Sequence, residues 1–343
     1  MRHLLNTLFV TSEDIYLSLD GENVVANREK VVVARYPLHT LSAILSFSYP
    51  GASPALMGAC AQRGIALSFC TPRGRFLARV CGEANGNVLL RRTQYRIADD
   101  PAQSCRIARS MVFGKVYNAR WSIERTRRDH GLRVDGARLA EVSGQLKALL
   151  PQLLEASSLE HLRGLEGAAA TAYFGVFDQL ILGDGTLFSF RGRSRRPPLD
   201  AVNALLSFAY SLLSHDCAAA LESVGLDSYV GFLHRDRPGR SSLALDLMEE
   251  LRPCLADRFV LTAINNRMFK AEDFIFRESG GVSLTDEARR TFLRRWQERK
   301  KEPITHPFLD EKLPWGLVPY IQALLLARCI RGDLDEYPPF LWK

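Results

Sequence analysis

The stretch GFLHRDRPGRSSLALDLMEEL, residues 231–251, carries residue types that could hold a divalent cation. A lone histidine, His234, sits in a loop of prolines, glycines and arginines. Twelve residues on, a leucine-rich segment carries Asp246, Glu249 and Glu250. In a helix, positions i, i+3 and i+4 share a face, so the three carboxylates are expected to point the same way. Leu243, Leu247, Met248 and Leu251 take much of the remaining surface. Two readings stand: a solvated acidic face over a leucine core, or one wall of a metal site with His234 as the other.

A second segment bears on that choice. GLEGAAATAYFGVFDQLIL, residues 164–182, is small and apolar with few charges, and Glu166 sits among Gly164, Gly167, Ala168 and Ala169. Small residues let another helix approach closely, and a carboxylate at such a contact loses hydration unless it is paired or bound to a metal. Alternatively, Glu166 faces water in a first helical turn and favours the helix dipole. One glutamate, one histidine and a second carboxylate, each from its own segment, suit Mg²⁺ or Mn²⁺, and the imidazole tilts the choice toward Mn²⁺ or Zn²⁺. Three protein ligands leave positions open for water and phosphate oxygens.

Arginines supply the complementary chemistry. FRGRSRRPP holds Arg191, Arg193, Arg195 and Arg196. EARRTFLRRWQERKK holds seven cations, with Arg290 and Arg294 spaced i, i+4, and RTRRDH (125–130) is a third cluster. Each could be a plain solvated face. Together with a carboxylate-rich site they suggest that phosphates are gripped while a metal acts on one of them. A metal ion also reverses the local negative charge that would repel DNA.

These side chains need a framework. The 343 residues suffice for two domains, and 47% hydrophobic with 24% charged residues is ordinary for a globular chain. The formal charge of +7 favours a polyanionic partner. Seven scattered cysteines without a C-x-x-C pair argue against a structural zinc site and for reduced thiols in the cytoplasm. No secretory signal and no membrane span are expected. Phosphate-binding, dinucleotide and serine-hydrolase glycine motifs are missing, as is H-E-x-x-H.

Residues 1–85 read mainly as strands. IYLSLDGENVVA alternates around Asp20-Gly21 as a hairpin, KVVVARY is a third run, and ALSFC and FLARVCG are joined by TPRGR. One short helix interrupts them, with Ser53 as its cap, Pro54 at its first position and Gly64 at its end. Helical periodicity follows near 87–98, 101–131, 137–154, 160–183, 199–224, 242–263, 285–301 and 315–331, with a small hairpin over 272–284. The tail DEYPPFLWK reads as ordered or partner-binding, not helical. The expected fold class is α+β: a small β domain over 1–90, then a larger all-α catalytic domain over 91–343, with a boundary near 86–98.

The ordered blocks LEGAAATAYF, FRGRSRRPPLDAVNALLSFAYSLL and GLDSYVGFLHRDRPGRSSLALDLMEELRP resemble the CRISPR-associated adaptation integrase family. The N-terminal run NTLFVTSEDIYLSLDGENVVA looks like its subtype I-C branch, and the resemblance spans essentially the whole chain. It implies an N-terminal β domain used in dimerisation and a helical domain carrying the site. It implies metal ligands at Glu166, His234 and Glu249, the last being Asp in many members and here one methylene longer. Asp246 matches an acidic position close to the metal, as an orienting group or a further ligand. Tyr173 and Asn203 match positions near the DNA path.

The implied reaction is phosphoryl transfer on double-stranded DNA. The 3′-hydroxyl of a protospacer attacks a phosphodiester at the edge of a CRISPR repeat, with Mg²⁺ or Mn²⁺ as cofactor. Water in place of that hydroxyl gives an endonuclease. Arg191, Arg193, Arg195, Arg196, Arg290 and Arg294 would grip the backbone. The implied assembly is a homodimer, two of which flank a dimer of a small adaptation partner in a heterohexamer. Two rivals remain at this stage. One is a branched-DNA repair nuclease using the same site. The other is a non-catalytic DNA scaffold, which predicts salt-dependent binding with no metal requirement.

Overall fold

The computed structural model describes residues 7–41, 43–71, 76–82, 88–183, 185–278 and 280–343. Met1–Gly86 and Arg289–Glu302 cluster as one unit, and Asn87–Ala288 and Pro303–Lys343 as the other. Arg289–Glu302, a stretch expected in the helical domain, thus groups with the strands.

The strands of the first unit are β1 (Thr7–Val10), β2 (Tyr16–Asp20), β3 (Asn23–Arg28), β4 (Val31–Pro37), β5 (Ala43–Ser46), β6 (Ala66–Cys70) and β7 (Phe76–Arg79). One sheet has the order β1-β5-β6-β7, parallel except for its last pair, and the other is the antiparallel meander β2-β3-β4. Gly21, at φ +56°, closes the β2–β3 hairpin as the Asp-Gly signal predicts. Helix α1 (Pro54–Gln62) precedes β6. The Ser53 hydroxyl accepts the Leu56 N–H at 3.2 Å, and Gly64 takes φ +64° beyond the helix end. Leu17, Val24, Leu38, Ile44, Leu56, Cys60 and Leu67 form the core of this unit. The TPRGR connection lies outside the described residues apart from Thr71, as does Asn87, where the first long helix was expected to begin.

The second unit is built on α2 (Val88–Asp99), α3 (Pro101–His130), α4 (Gly136–Glu155), α5 (Leu159–Phe174), α6 (Ala201–Ser223), α7 (Ser242–Glu249) and α8 (Arg258–Asn265). A hairpin of β8 (Phe274–Phe276) and β9 (Val282–Leu284) follows and, beyond the basic helix α9 (Asp286–Lys301), most of which belongs to the first unit, β10 (Pro303–Thr305), β11 (Lys312–Pro314) and α10 (Val318–Arg331). Helix α3 packs on α4, α5 and α7, while α6 packs on α7 and α10. Helix α6 is long and apolar enough to cross a membrane, but most of it is core of this unit. Gly332 ends α10 in the left-handed conformation expected of it.

Two expected helices stop short, each for a local reason. The one over 160–183 ends at Phe174, where Gly175 follows and the rings of Tyr173, Phe174, Phe177 and Phe190 gather with centroids 5.0–6.0 Å apart. The one over 242–263 breaks after α7. Pro253 has no N–H to continue the ladder, and Arg252–Asp257 takes a wider π-helical turn before α8. The β10–β11 hairpin was not legible, because its Pro-rich strands have only three residues each.

The tail after α10 is ordered and folds onto the helical unit. Glu250 accepts hydrogen bonds from Tyr337 (2.5 Å), Gln322 (2.8 Å) and the Phe340 N–H (2.8 Å). Asn118 bonds the Phe340 carbonyl at 2.7 Å and the Trp342 N–H at 2.9 Å. Gly114 lets this layer close, since a Cβ there would lie 2.9 Å from the Glu250 Cβ and 3.1 Å from that of Pro339.

Candidate active site

Helix α7 carries its three carboxylates inward: Asp246, Glu249 and Glu250 are all buried. This overturns the solvated-face reading. They also do not act together. At about 100° per residue, Glu249 and Glu250 flank Asp246 on opposite sides. Glu250 turns to the tail, while Asp246 and Glu249 turn to the His234 loop.

Asp246 builds that loop. Its Oδ2 accepts the N–H groups of Phe232 (2.6 Å) and Leu233 (2.9 Å). Its Oδ1 accepts the His234 N–H at 3.0 Å and meets His234 Nδ1 at 2.5 Å. Four partners fill both oxygens, an arrangement that orients an imidazole rather than one that offers a ligand. With Asp246 as acceptor, Nδ1 carries the ring hydrogen and Nε2 keeps its lone pair, 4.0 Å from Glu249 Oε1. Arg163 on α5 holds the loop from the other side through the Leu233 carbonyl, at 2.6 Å.

Gly231 is required by this packing. A Cβ there would stand 2.8 Å from Asp246 Oδ2 and 2.9 Å from Ser242. Gly231→Ala is expected to cost ~1–3 kcal/mol in urea denaturation and to shift the loop that aims His234.

Glu166 and Glu249 face one another across an ammonium. Lys115, on α3, pairs with Glu166 Oε1 and lies 2.7 Å from Glu249 Oε2. Arg252, the first residue of the π-helical turn, reaches Glu249 Oε1 at 3.1 Å. The buried Glu249 Oε2 has no hydrogen-bond donor aligned on it, so Lys115 acts on it as a charge at short range. Burial pushes the Glu249 carboxyl up, but the Arg252 guanidinium and the Lys115 ammonium outweigh it and hold it at about 2. Exposure rises from Glu249 (3%) through Lys115 (12%) to Glu166 (27%), so the site opens on the Glu166 side. Among the described residues, no three His, Cys, Asp or Glu side chains gather as a ready cluster, because Lys115 stands between the two glutamates.

The sequence leads one to expect a close helix contact at the small residues around Glu166, but of these only Ala169 is buried. Gly164, Gly167 and Ala168 are exposed, and a Cβ on either glycine would meet nothing within 4 Å. They leave open space beside the carboxylate.

The arginine loop divides. Arg191, Arg195 and Arg196 are exposed, but Arg193 is tied inward to Asn203 (2.6 Å), Ser207 (3.1 Å) and the Tyr210 ring, 5.1 Å from its centroid. Arg193 is therefore not free to grip a phosphate. Asn203 is fully buried and organises that loop, bonding Gly192, Arg193, Ser194 and Asp200. Its side chain is turned into that loop and away from solvent.

Tyr173 is also buried, at 3% exposure, and cannot stack on a base in this structure. Its hydroxyl donates to Asp257 at 3.2 Å, as does that of Tyr210 at 2.5 Å. Burial raises Asp257 to about 6 against the pull of Tyr210, Tyr173, Arg193 and Arg252. Its folded value lies above the unfolded one near 3.8, so its stabilisation is complete below that value and fades as pH rises through about 6. Asp257→Asn is expected to flatten the pH dependence of the urea midpoint across that window relative to wild type. On α9, Arg290 and Arg294 are exposed one turn apart.

Lys115, Arg252, Arg163 and Gly231 were not singled out from sequence. Two had a signal: Lys115 is a cation in the otherwise weakly charged run SMVFGKVYN, and Arg252 lies i+3 from Glu249.

A sequence profile of CRISPR associated protein Cas1 matches residues 8–298. The chain belongs to the Cas1 family. "CRISPR-associated endonuclease Cas1 1" of Chlorobaculum tepidum is 50% identical over 343 residues, with 100% of both chains covered. "CRISPR-associated endonuclease Cas1 2" of Rhodospirillum rubrum is 54% identical over 347 residues, again with 100% of both covered. The mixed α+β fold is that of solved Cas1-like structures. A casposase bound to integration product superposes with a TM-score of 0.83 at 20% identity, covering 99% of this chain and 95% of its own. A Cas6-RT-Cas1–Cas2 complex gives 0.80 at 23% identity, covering 100% of this chain and 36% of its own. Lys115, Glu166, Glu249 and His234 sit on α3, α5, α7 and the loop before α7 of the helical unit.

Proposed function

We propose that this Cas1-family chain is a metal-dependent DNA endonuclease and integrase of CRISPR adaptation, joining a protospacer 3′-hydroxyl to a repeat phosphodiester. The single observation that carries this reading is the meeting of Glu166 and Glu249 around one positive charge, with His234 Nε2 free beside them. Two carboxylates and an imidazole with a fixed tautomer suit Mg²⁺ or Mn²⁺. The Lys115 ammonium, 2.7 Å from Glu249 Oε2 and paired with Glu166, marks where positive charge is held between the two carboxylates. Glu166, His234 and Glu249 would hold the ion. When bound, it supplies Lewis acidity and charge stabilisation to the phosphate.

The chain's own groups do the rest. Asp246 keeps the His234 lone pair turned inward. Arg252 holds Glu249 ionised and in place. The open face at Gly164, Gly167 and Ala168 admits the backbone beside Glu166. In the helical unit, exposed Arg191, Arg195 and Arg196 would hold phosphates, as would Arg290 and Arg294 in the other. One P–O bond forms as another breaks, so no nucleotide triphosphate is consumed. Seven scattered cysteines without a C-x-x-C pair suit a cytoplasmic setting.

The proposal extends to partners. Strand β4 is a sheet edge with Val31, Val32, Val33 and Tyr36 exposed, a surface a second copy would cover. Replacing Val31 and Val33 by Glu should shift the protein from dimer to monomer in light scattering. A matching structure is titled a Cas6-RT-Cas1–Cas2 complex, which supports a second adaptation protein as partner. The assembly proposed here is two dimers of this chain flanking one dimer of that partner. A neighbouring subtype I-C gene set would support that branch assignment.

The test is a strand-transfer assay with a short duplex and a repeat-bearing plasmid, with Mn²⁺, Mg²⁺ or EDTA, with and without the partner. Joined products that vanish in EDTA are expected. Duplex binding with no metal-dependent cleavage or joining would leave a scaffold and end this reading.

A further inference from the structure

Lys115 sits between Glu166 and Glu249, the two carboxylates that would help hold a divalent ion. It is held on a rigid 30-residue helix, with its ammonium on one oxygen of each carboxylate. Arg252 already neutralises Glu249 from the opposite oxygen, so Lys115 is the second cation on that group. Two facing carboxylates with nothing between them would repel each other at low dielectric. The lysine removes that repulsion when no ion is present. Its side chain is flexible and the site is open toward Glu166, so it has somewhere to go.

We propose that Lys115 is a built-in competitor for the metal. It keeps the carboxylate pair assembled in the metal-free protein and must leave both oxygens before a divalent ion can bind. The inference rests on the metal reading above. It adds that metal affinity is set against an internal ion pair, so the site loads only when the ion, with substrate phosphate as an added ligand, outcompetes the ammonium.

Calorimetric titration of the full-length protein with MnCl₂ tests this, alongside thermal unfolding with and without Mn²⁺. Lys115→Gln should bind Mn²⁺ on the order of tenfold more tightly than wild type. It should also melt lower without metal and recover more on adding Mn²⁺. Lys115→Arg, which keeps the charge, should bind no more tightly than wild type. A Lys115→Gln protein that is unfolded without metal but folds with Mn²⁺ gives the same support. Equal Mn²⁺ affinity in wild type and Lys115→Gln overturns the competitor role while leaving the metal site intact. So does a variant that stays unfolded at saturating Mn²⁺, since Lys115 is then structural. Wild-type binding that is absent, or unchanged by His234→Ala, overturns the metal reading and this inference with it.

Discussion

Glu249→Ala should destabilise the protein by about 3–5 kcal/mol, because it leaves the largely buried Arg252 without its carboxylate and Lys115 with Glu166 alone. Lys115 and Arg252 are each only 12% exposed, and both lean on this carboxylate. Urea denaturation measures the loss directly. Glu249→Gln keeps the volume and part of the hydrogen bonding, and should recover some of it. Glu166→Gln should cost less, since Glu166 reaches solvent and pairs with Lys115 alone. If Glu249→Ala and Glu166→Ala cost the same, the burial gradient across the site does not govern its energetics.

The ranking of these carboxylates shows what a sequence can carry. The i, i+3, i+4 spacing placed Asp246, Glu249 and Glu250 on one helix. It could not say that the helix is buried all round, so it set Glu250 on the same face as Asp246 and Glu249 when it turns to the tail. Glu166 and His234 were legible by type and context. Lys115 was not, because pairing 51 positions away is a tertiary event without local periodicity. Tyr173 and Asn203 match positions near a DNA path by resemblance, and Arg193 reads as a phosphate contact from its basic cluster, yet all three are inward groups that brace the loop and the π-helical turn. The sheets were read from alternation and turn residues, but the return of Arg289–Glu302 to the β unit has no signature in the chain.

His234→Ala should separate chemistry from folding. The imidazole is 21% exposed, and its removal leaves Asp246 with three backbone donors. Stability should change little. Metal-dependent cleavage and joining should fall by about a hundredfold or more, while duplex affinity holds, because phosphate grip rests on the exposed arginines. A filter-binding isotherm beside a strand-transfer time course checks both halves. Full activity in folded His234→Ala would remove the histidine from the site. Lost duplex affinity would make it a substrate contact instead.

Helix α7 is gripped from both flanks by consecutive residues, Glu249 toward Lys115 and Arg252, Glu250 toward Tyr337 and Gln322. A helix fastened on two sides cannot roll about its own axis without breaking one set of bonds. Adjustment to a bulky guest therefore falls to the α5 side, where Glu166 borders empty space, and α7 serves as the fixed jaw of the vice.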